Sequence, residues 1–249
     1  MANTNTQRPH SAGYFRRGML HGLPIALGYL SVSFGFGILA VRSGMSVFEA
    51  TMISLLNLTS AGQAAGVGII AAGGSLAEMV LVQITINLRY ALMALSLSQR
   101  LDPQFRMPQR MLCAYGITDE IFGVCAAQPE PITPAYMSGM ILAATAGWVL
   151  GTFLGAFAGA LLPASVTAAL GILLYGMFLA IIVPPAKKDK AILCAVLIAA
   201  ALSILCRYLI PTLSEGFAVI ICAVAASAAA AILFPRPDEP DEEKGGAES

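Results

Sequence analysis

Between residues 20 and 234 the chain is a succession of hydrophobic runs, seven or eight in number, most of them close to the 20 residues a helix needs to cross a bilayer. In chain order they cover 20–41, 47–71, 76–98, 111–128, 135–162, 165–183, 190–210 and 212–234. A lipid core offers no water to backbone N–H and C=O groups, so such runs are expected as helices that close their hydrogen bonds internally. Composition agrees, because only 11% of the residues are charged against about 25% in a soluble domain. The expected fold is an all-α polytopic membrane protein. Residues 1–17 are polar and basic (Arg8, Arg16, Arg17) and are expected as a disordered cytoplasmic N-terminus. Residues 18–234 form the transmembrane domain, and 235–249, acidic and proline-containing, a disordered tail. The first run lacks the small-residue cleavage site of a signal peptide and is expected to stay in the membrane.

Several function classes drop out. Fourteen basic and fourteen acidic residues balance, and no basic stretch points to nucleic acid. Two histidines, His10 and His21, are too few for a histidine-rich metal site. The five cysteines (Cys113, Cys125, Cys194, Cys206, Cys222) contain no C-x-x-C pair and read as thiols facing lipid or core. A Gly-x-x-x-x-Gly-Lys-Ser/Thr loop is missing, so direct coupling to ATP is not expected. With no nucleophile–base set either, the chain reads as neither an enzyme nor a cofactor binder.

The two halves, about 20–128 and 135–234, share a weak internal repeat. Gly28-Tyr29 and Phe34 recur as Gly147-Trp148 and Phe153, a shift of 147 − 28 = 119, and Arg89-Tyr90 recurs as Arg207-Tyr208 at 118. Internal repeats are common in transporters, where the site lies between them. Short-loop Lys and Arg favour the cytoplasm. That rule would place the N-terminus, the 99–110 loop and the Lys187-Lys188-Asp189-Lys190 loop on one side. Full crossings everywhere cannot do this. An inverted repeat with broken or re-entrant helices can, if 47–71 and its counterpart 165–183 enter and leave by one face.

Intramembrane polar groups mark the candidate site, since a charge at the bilayer centre costs about 2.5–3.5 kcal/mol on insertion scales. Asn57-Leu58-Thr59-Ser60-Ala61-Gly62-Gln63 lies midway along an apolar run, where small and polar residues let a helix unwind and free backbone groups for an amino acid's ammonium and carboxylate. Close helix packing through Gly62-x-x-x-Gly66 is the structural alternative. Asn87-Leu88-Arg89-Tyr90 supplies a cation that would meet a substrate carboxylate, pair with Asp119 or Glu120, or snorkel to the interface. Thr118-Asp119-Glu120 interrupts a fourth run with two carboxylates suited to carrying a proton or meeting an ammonium, or to a structural ion pair with Arg89. Glu49 and Glu78, near run starts, read as interfacial. Gly147, Gly151, Gly155 and Gly159 give one smooth helix face that predicts close contact with another helix.

At these residues the chain resembles the AzlC family of branched-chain amino acid permeases. The resemblance runs over roughly residues 15–210 and rests on Gly22-Leu23-Pro24-Ile25, the small-residue run ending at Gln63, Asn87-Leu88-Arg89-Tyr90 with Leu92-Met93, and Thr118-Asp119-Glu120 in that order. It departs from the family's usual Phe-Ala-Gly-Ala-Ala-Gln at Leu58-Thr59-Ser60-Ala61-Gly62-Gln63, and from Arg-His at Arg89-Tyr90. The resemblance implies a bacterial inner-membrane exporter of valine, leucine or isoleucine, coupled to protons and working with a small AzlD-type membrane partner. For such an exporter the polar residues read above are expected to bind substrate through Asn57, Ser60, Gly62, Gln63, Asn87, Arg89 and Thr118, and to couple protons through Asp119, then Glu120. The competing expectations are a transporter of another small solute and a non-transporting membrane scaffold.

Overall fold

The computed structural model describes residues 11–163 and 182–235, with 165, 176 and 179 between them. Two compact units divide the chain, residues 1–180 and 181–249. In the first, α1 (Ser11–Arg42), α2 (Val47–Leu56), α3 (Ser60–Ala71), α4 (Leu76–Ser98), α5 (Met107–Tyr115), α6 (Asp119–Ala126) and α7 (Pro134–Leu161) follow one another. Only α1, α4 and α7 of these are long and apolar enough to cross a membrane alone. Residues 11–17, expected to be disordered, belong to α1, while 1–10 and the tail 236–249 lie outside the described residues. So does most of the 165–183 segment and, with it, the expected counterpart of 47–71.

The unit is built on α1 packed along α7, and the contact is glycine-made. A Cβ on Gly147, Gly151 or Gly155 would lie 2.3, 2.4 and 2.0 Å from the carbonyl oxygens of Ala26, Leu30 and Phe34. Those partner numbers rise together, so the two helices run parallel, with backbones closer than side chains allow. Tyr29 and Trp148, matched at the shift of 119, meet across this seam with ring centroids 5.3 Å apart. The two stretches related by that shift therefore open with parallel helices, which an inversion between them would oppose.

Inversion is found instead inside residues 11–126. At the Arg42 end, Ser46 starts α2 through a capping box with Glu49, and Gly44 and Gly73 take the positive φ values (91° and 68°) that the flanking turns need. Helix α2 runs inward until Ser54 meets Thr152 of α7. After a break at 57–59, α3 runs back beside α4: Thr59 meets Asn87, Gly62 meets Gln83, and Gly74 lies against Glu78. Asn87 stands eleven residues from either end of α4 (87 − 76 and 98 − 87), so the break lies at mid-depth, about 16 Å in at 1.5 Å per residue. Glu78, expected at the interface, is buried under this turn at 5% exposure.

The second hairpin enters from the Ser11 end. There Arg17 pairs with Glu130 and bonds Gln128, Arg100 donates to the carbonyls of Ala126 and Gln128, and Leu101 bridges Ile132. The expected single run 111–128 is thus two short helices: α5 passes Ser138 at Cys113 and Ile141 at Gly116, and α6 returns to Ala126. Its break, 116–118, also lies at mid-depth, and Tyr115 at its edge donates to the Leu55 carbonyl at the end of α2. Two helix hairpins entering from opposite ends therefore meet tip to tip, each following a crossing helix of opposite direction.

The second unit holds α8 (Lys190–Leu209) and α9 (Glu215–Leu233), packed on each other. Residues 182–188 are helical, so Lys187 and Lys188 end a helix where a loop was expected, and Asp189 caps α8 by accepting from the Ala191 N–H. Arg207, in the last turn of α8, is exposed.

Candidate functional site

Two hydrogen-bonded assemblies surround the hairpin tips. The first is a closed ring. Gln63 Nε2 donates to Ser54 Oγ (3.2 Å), Ser54 lies 2.7 Å from Thr152 Oγ1, Thr152 donates to the Trp148 carbonyl (3.0 Å), and Trp148 Nε1 donates back to Gln63 Oε1 (2.9 Å). The Thr152 proton is spent on Trp148, so Ser54 must donate to Thr152, and every bond then runs in one sense. Gln63 is 2% exposed, so each of its polar atoms needs the partner it has.

The second assembly runs along α4. Thr59 Oγ1 donates to Asn87 Oδ1 (2.6 Å), Asn87 Nδ2 to Gln83 Oε1 (2.9 Å), and Gln83 Nε2 to the Gly62 carbonyl (2.7 Å). The hydroxyl of Thr59, the N-cap of α3, is thereby turned away from the helix it precedes and makes no cap bond to it. Gly62 packs against the Gln83 and Thr59 side chains, and a Cβ there would sit 2.7 Å from Gln83 Oε1 and push that side chain aside. Asn57, in extended conformation, ends α2, and half-buried Ser60 opens α3.

Charge collects at the other tip. Arg89 NH1 lies 2.7 Å from Asp119 Oδ2, and its guanidinium also covers the Tyr90 ring at 4.9 Å. Both members of the pair are about half exposed, at 46% and 49% of their side chains. Thr118 caps α6 by accepting from the Ile121 N–H, which puts Asp119 and Glu120 in the first turn, where the helix macrodipole favours negative charge. From α1, the Tyr29 hydroxyl stands 2.5 Å from Glu120 Oε2 and 2.7 Å from Thr118 Oγ1. Tyr29 also packs on Trp148, which joins this tip to the Gln63 ring.

Every residue expected at the site lies around these tips: Asn57, Ser60, Gly62 and Gln63 on one, Thr118, Asp119 and Glu120 on the other, with Asn87 and Arg89 along α4. Sequence reasoning did not assign Tyr29, Ser54, Gln83, Trp148 or Thr152 to it. Three had a visible signal, since Gln83 precedes Asn87 by one helical turn and Tyr29 and Trp148 correspond in the repeat. A separate cleft of about 840 Å³ opens at the Ser11 end, where Asp102, Arg106, Gln109 and Glu130 line it, and includes none of the tip residues. Among the described residues no group of three His, Cys, Asp or Glu is placed to hold a metal ion.

Comparison with known proteins gives matches of two kinds. Residues 24–162, more than half of the chain, match the family model described as AzlC protein. The chain is 28% identical over 247 residues to the inner membrane protein YgaZ of Escherichia coli K12, covering 96% of this chain and all of that one. It is 33% identical to an uncharacterized membrane protein of Archaeoglobus fulgidus across 70% of this chain and 76% of the other. An uncharacterized membrane protein of Helicobacter pylori 26695 is 32% identical over 44% of this chain and 47% of its own. No solved structure matches.

Proposed function

Because this chain belongs to the AzlC family of membrane proteins, we propose that it is the large subunit of a secondary transporter exporting valine, leucine or isoleucine. One observation carries the reading: two helix breaks meet at mid-depth among Gln63, Gln83, Asn87, Arg89, Asp119 and Glu120, where lipid alone gives no reason for polar groups. A zwitterionic amino acid has both the charges such a place can match. Its carboxylate would compete for Arg89 and its ammonium for Asp119 or Glu120. Asn57, Ser60, Gly62, Gln63, Asn87 and Thr118 would orient it through side chains and unwound backbone. Proton coupling would fall to Asp119 and Glu120.

Orientation follows from charge. Arg16, Arg17, Arg100, Arg106 and Arg110 gather at the Ser11 end, with Arg42 the counterweight at the other, so the Ser11 end is the cytoplasmic one in a bacterial inner membrane. Half-exposed Arg89 and Asp119 also favour a protein neighbour over lipid on that flank, which suits a small AzlD-type partner. The test is counterflow of labelled leucine and valine in proteoliposomes, with and without the small membrane protein. Exchange that requires both proteins is expected. Exchange no faster than in protein-free vesicles would end the proposal, and exchange of a different small solute in the same vesicles would replace the substrate.

A further inference from the structure

The cleft at the Ser11 end takes no part in the site described so far, yet one face of α7 leads from it to the hairpin tips. We propose that this cleft is the cytoplasmic port of the transporter, where an amino acid binds first, and that Ile141 seated on Gly116 is the gate between port and tips. This rests on the transport reading above and adds to it a second, outlying substrate site.

Ser138, Thr145 and Thr152 recur at seven-residue intervals, close to two helical turns, so their hydroxyls share one face of α7 over about 21 Å. At the outer end Ser138 lines the cleft, with its Oγ 3.8 Å from Cys113 Sγ of α5. At the inner end Thr152 belongs to the ring around Gln63. Between them Thr145 stands eleven residues into α7 (145 − 134), near the depth of the helix breaks. Its Oγ1 is buried and has no hydrogen-bond partner among the described residues. A helical threonine can return its proton to the carbonyl four residues back, as Thr152 does to Trp148. A buried hydroxyl left unpaired costs free energy and calls for a reason. Meeting the polar end of a passing substrate supplies one.

The route is shut at a single contact. One turn inward from Cys113 and Ser138, Ile141 covers Gly116 at the end of α5. A Cβ on Gly116 would lie 2.3, 2.7 and 2.9 Å from three Ile141 side-chain atoms, so only glycine lets Ile141 close down this far. Ile141 is buried, and Thr145 follows it one turn deeper. The 116–118 break gives α5 a hinge, on which it can swing off Ile141 while α6 stays capped by Thr118.

The charges of the port suit a zwitterion. Arg106, just before α5, has no carboxylate partner among the described residues and is open to a substrate carboxylate. Asp102 accepts from the Gln104 N–H through one oxygen, and Glu130 lies 3.5 Å from Arg17, so each keeps acceptor capacity for an ammonium. The volume of about 840 Å³ is that of a ligand cleft. Solvent screening keeps such exposed contacts weak, as a port that must pass its ligand onward requires.

The experiment is timed labelling of single cysteines, Ser138→Cys and Thr145→Cys, in the full chain with its five native cysteines replaced. An impermeant cationic thiol reagent is added to inside-out membrane vesicles, whose outer face is the cytoplasmic one. Ser138→Cys should react quickly and be protected by leucine or valine, and Arg106→Gln should raise the half-protecting concentration about threefold, the size of an exposed charge contact. Thr145→Cys should react slowly. Ile141→Ala should speed it by about tenfold, because the deleted side chain stabilises only the closed arrangement. Gly116→Ala, which presses Ile141 aside from the other helix, should speed it as well and serves if Ile141→Ala fails to fold. A Ser138→Cys that stays unlabelled from this side, or a Thr145→Cys rate that neither gate variant moves, overturns the port and its gate. Labelling without protection by leucine or valine overturns the amino-acid site. The labelling rates need no transport, so if counterflow fails while the labelling pattern holds, the exporter reading falls and the gated route stands.

Discussion

The sharpest stability prediction concerns Gly155 and Gly159, one helical turn apart on the same face of α7. A methyl group on Gly155 would stand 2.0 Å from the Phe34 carbonyl oxygen, with the Phe34 carbonyl carbon and Cα at 2.7 and 2.8 Å. Backbone atoms cannot rotate away. Restoring an ordinary 3.4 Å contact therefore needs α1 and α7 to separate locally by about 3.4 − 2.0 = 1.4 Å. Such a gap forfeits dispersion contacts on both sides, and overpacking of this kind costs about 1–3 kcal/mol. On Gly159 the nearest atom to the same methyl is Ile38 Cα at 3.3 Å, a shift of about a tenth of an ångström, and replacing glycine inside a helix is worth up to about 1 kcal/mol in favour of alanine. Gly155→Ala should thus lower the folded-to-unfolded ratio by about 30-fold at 2 kcal/mol, with Gly159→Ala neutral or stabilising. Titration of purified protein with a denaturing detergent, followed by tryptophan emission from Trp148, measures both. Equal effects at the two glycines would refute the parallel α1–α7 register on which the Tyr29–Trp148 contact depends.

Three further outcomes follow from the site. Gln63→Leu keeps the side-chain size but opens the four-membered ring, stranding the Trp148 N–H; it should cost about 1–3 kcal/mol in the same titration and abolish leucine counterflow. Asp119→Asn leaves Arg89 unpaired and should destabilise by up to about 2.5–3.5 kcal/mol, less in proportion to its exposure, while Arg89→Gln/Asp119→Asn recovers most of the loss; a double variant as unstable as the sum of both singles would contradict the ion pair. Single cysteines at Pro103 and Pro131 should react with impermeant reagents from one side of the membrane, and those at Gly44 and Gly73 from the other, in a cysteine-free background. Labelling of all four from one side would rule out the opposed hairpins.

Hydrophobicity and the high cost of polar groups in lipid determined much of this protein from sequence. The helical spans, the interruption near Asn57–Gln63, the interruption at Thr118 and the candidate groups Gln63, Asn87, Arg89, Asp119 and Glu120 are all legible, because a lipid solvent penalises each exception to apolarity strongly enough to mark it. Direction and partnership are not local quantities. An apolar run of 25 residues has the same composition whether it crosses or turns back; the charges of the loops pointed to a return within 47–71, but the second, opposed hairpin emerges only once α6 returns to the Ser11 end. Four glycines spaced by four residues look equivalent until α1 is laid against them, and only then does Gly159 separate from the rest. Trp148 is 85 residues from Gln63, and Tyr29 is 91 from Glu120. No periodicity links residues so far apart; the fold brings them into contact because each buried donor must find an acceptor where water cannot serve.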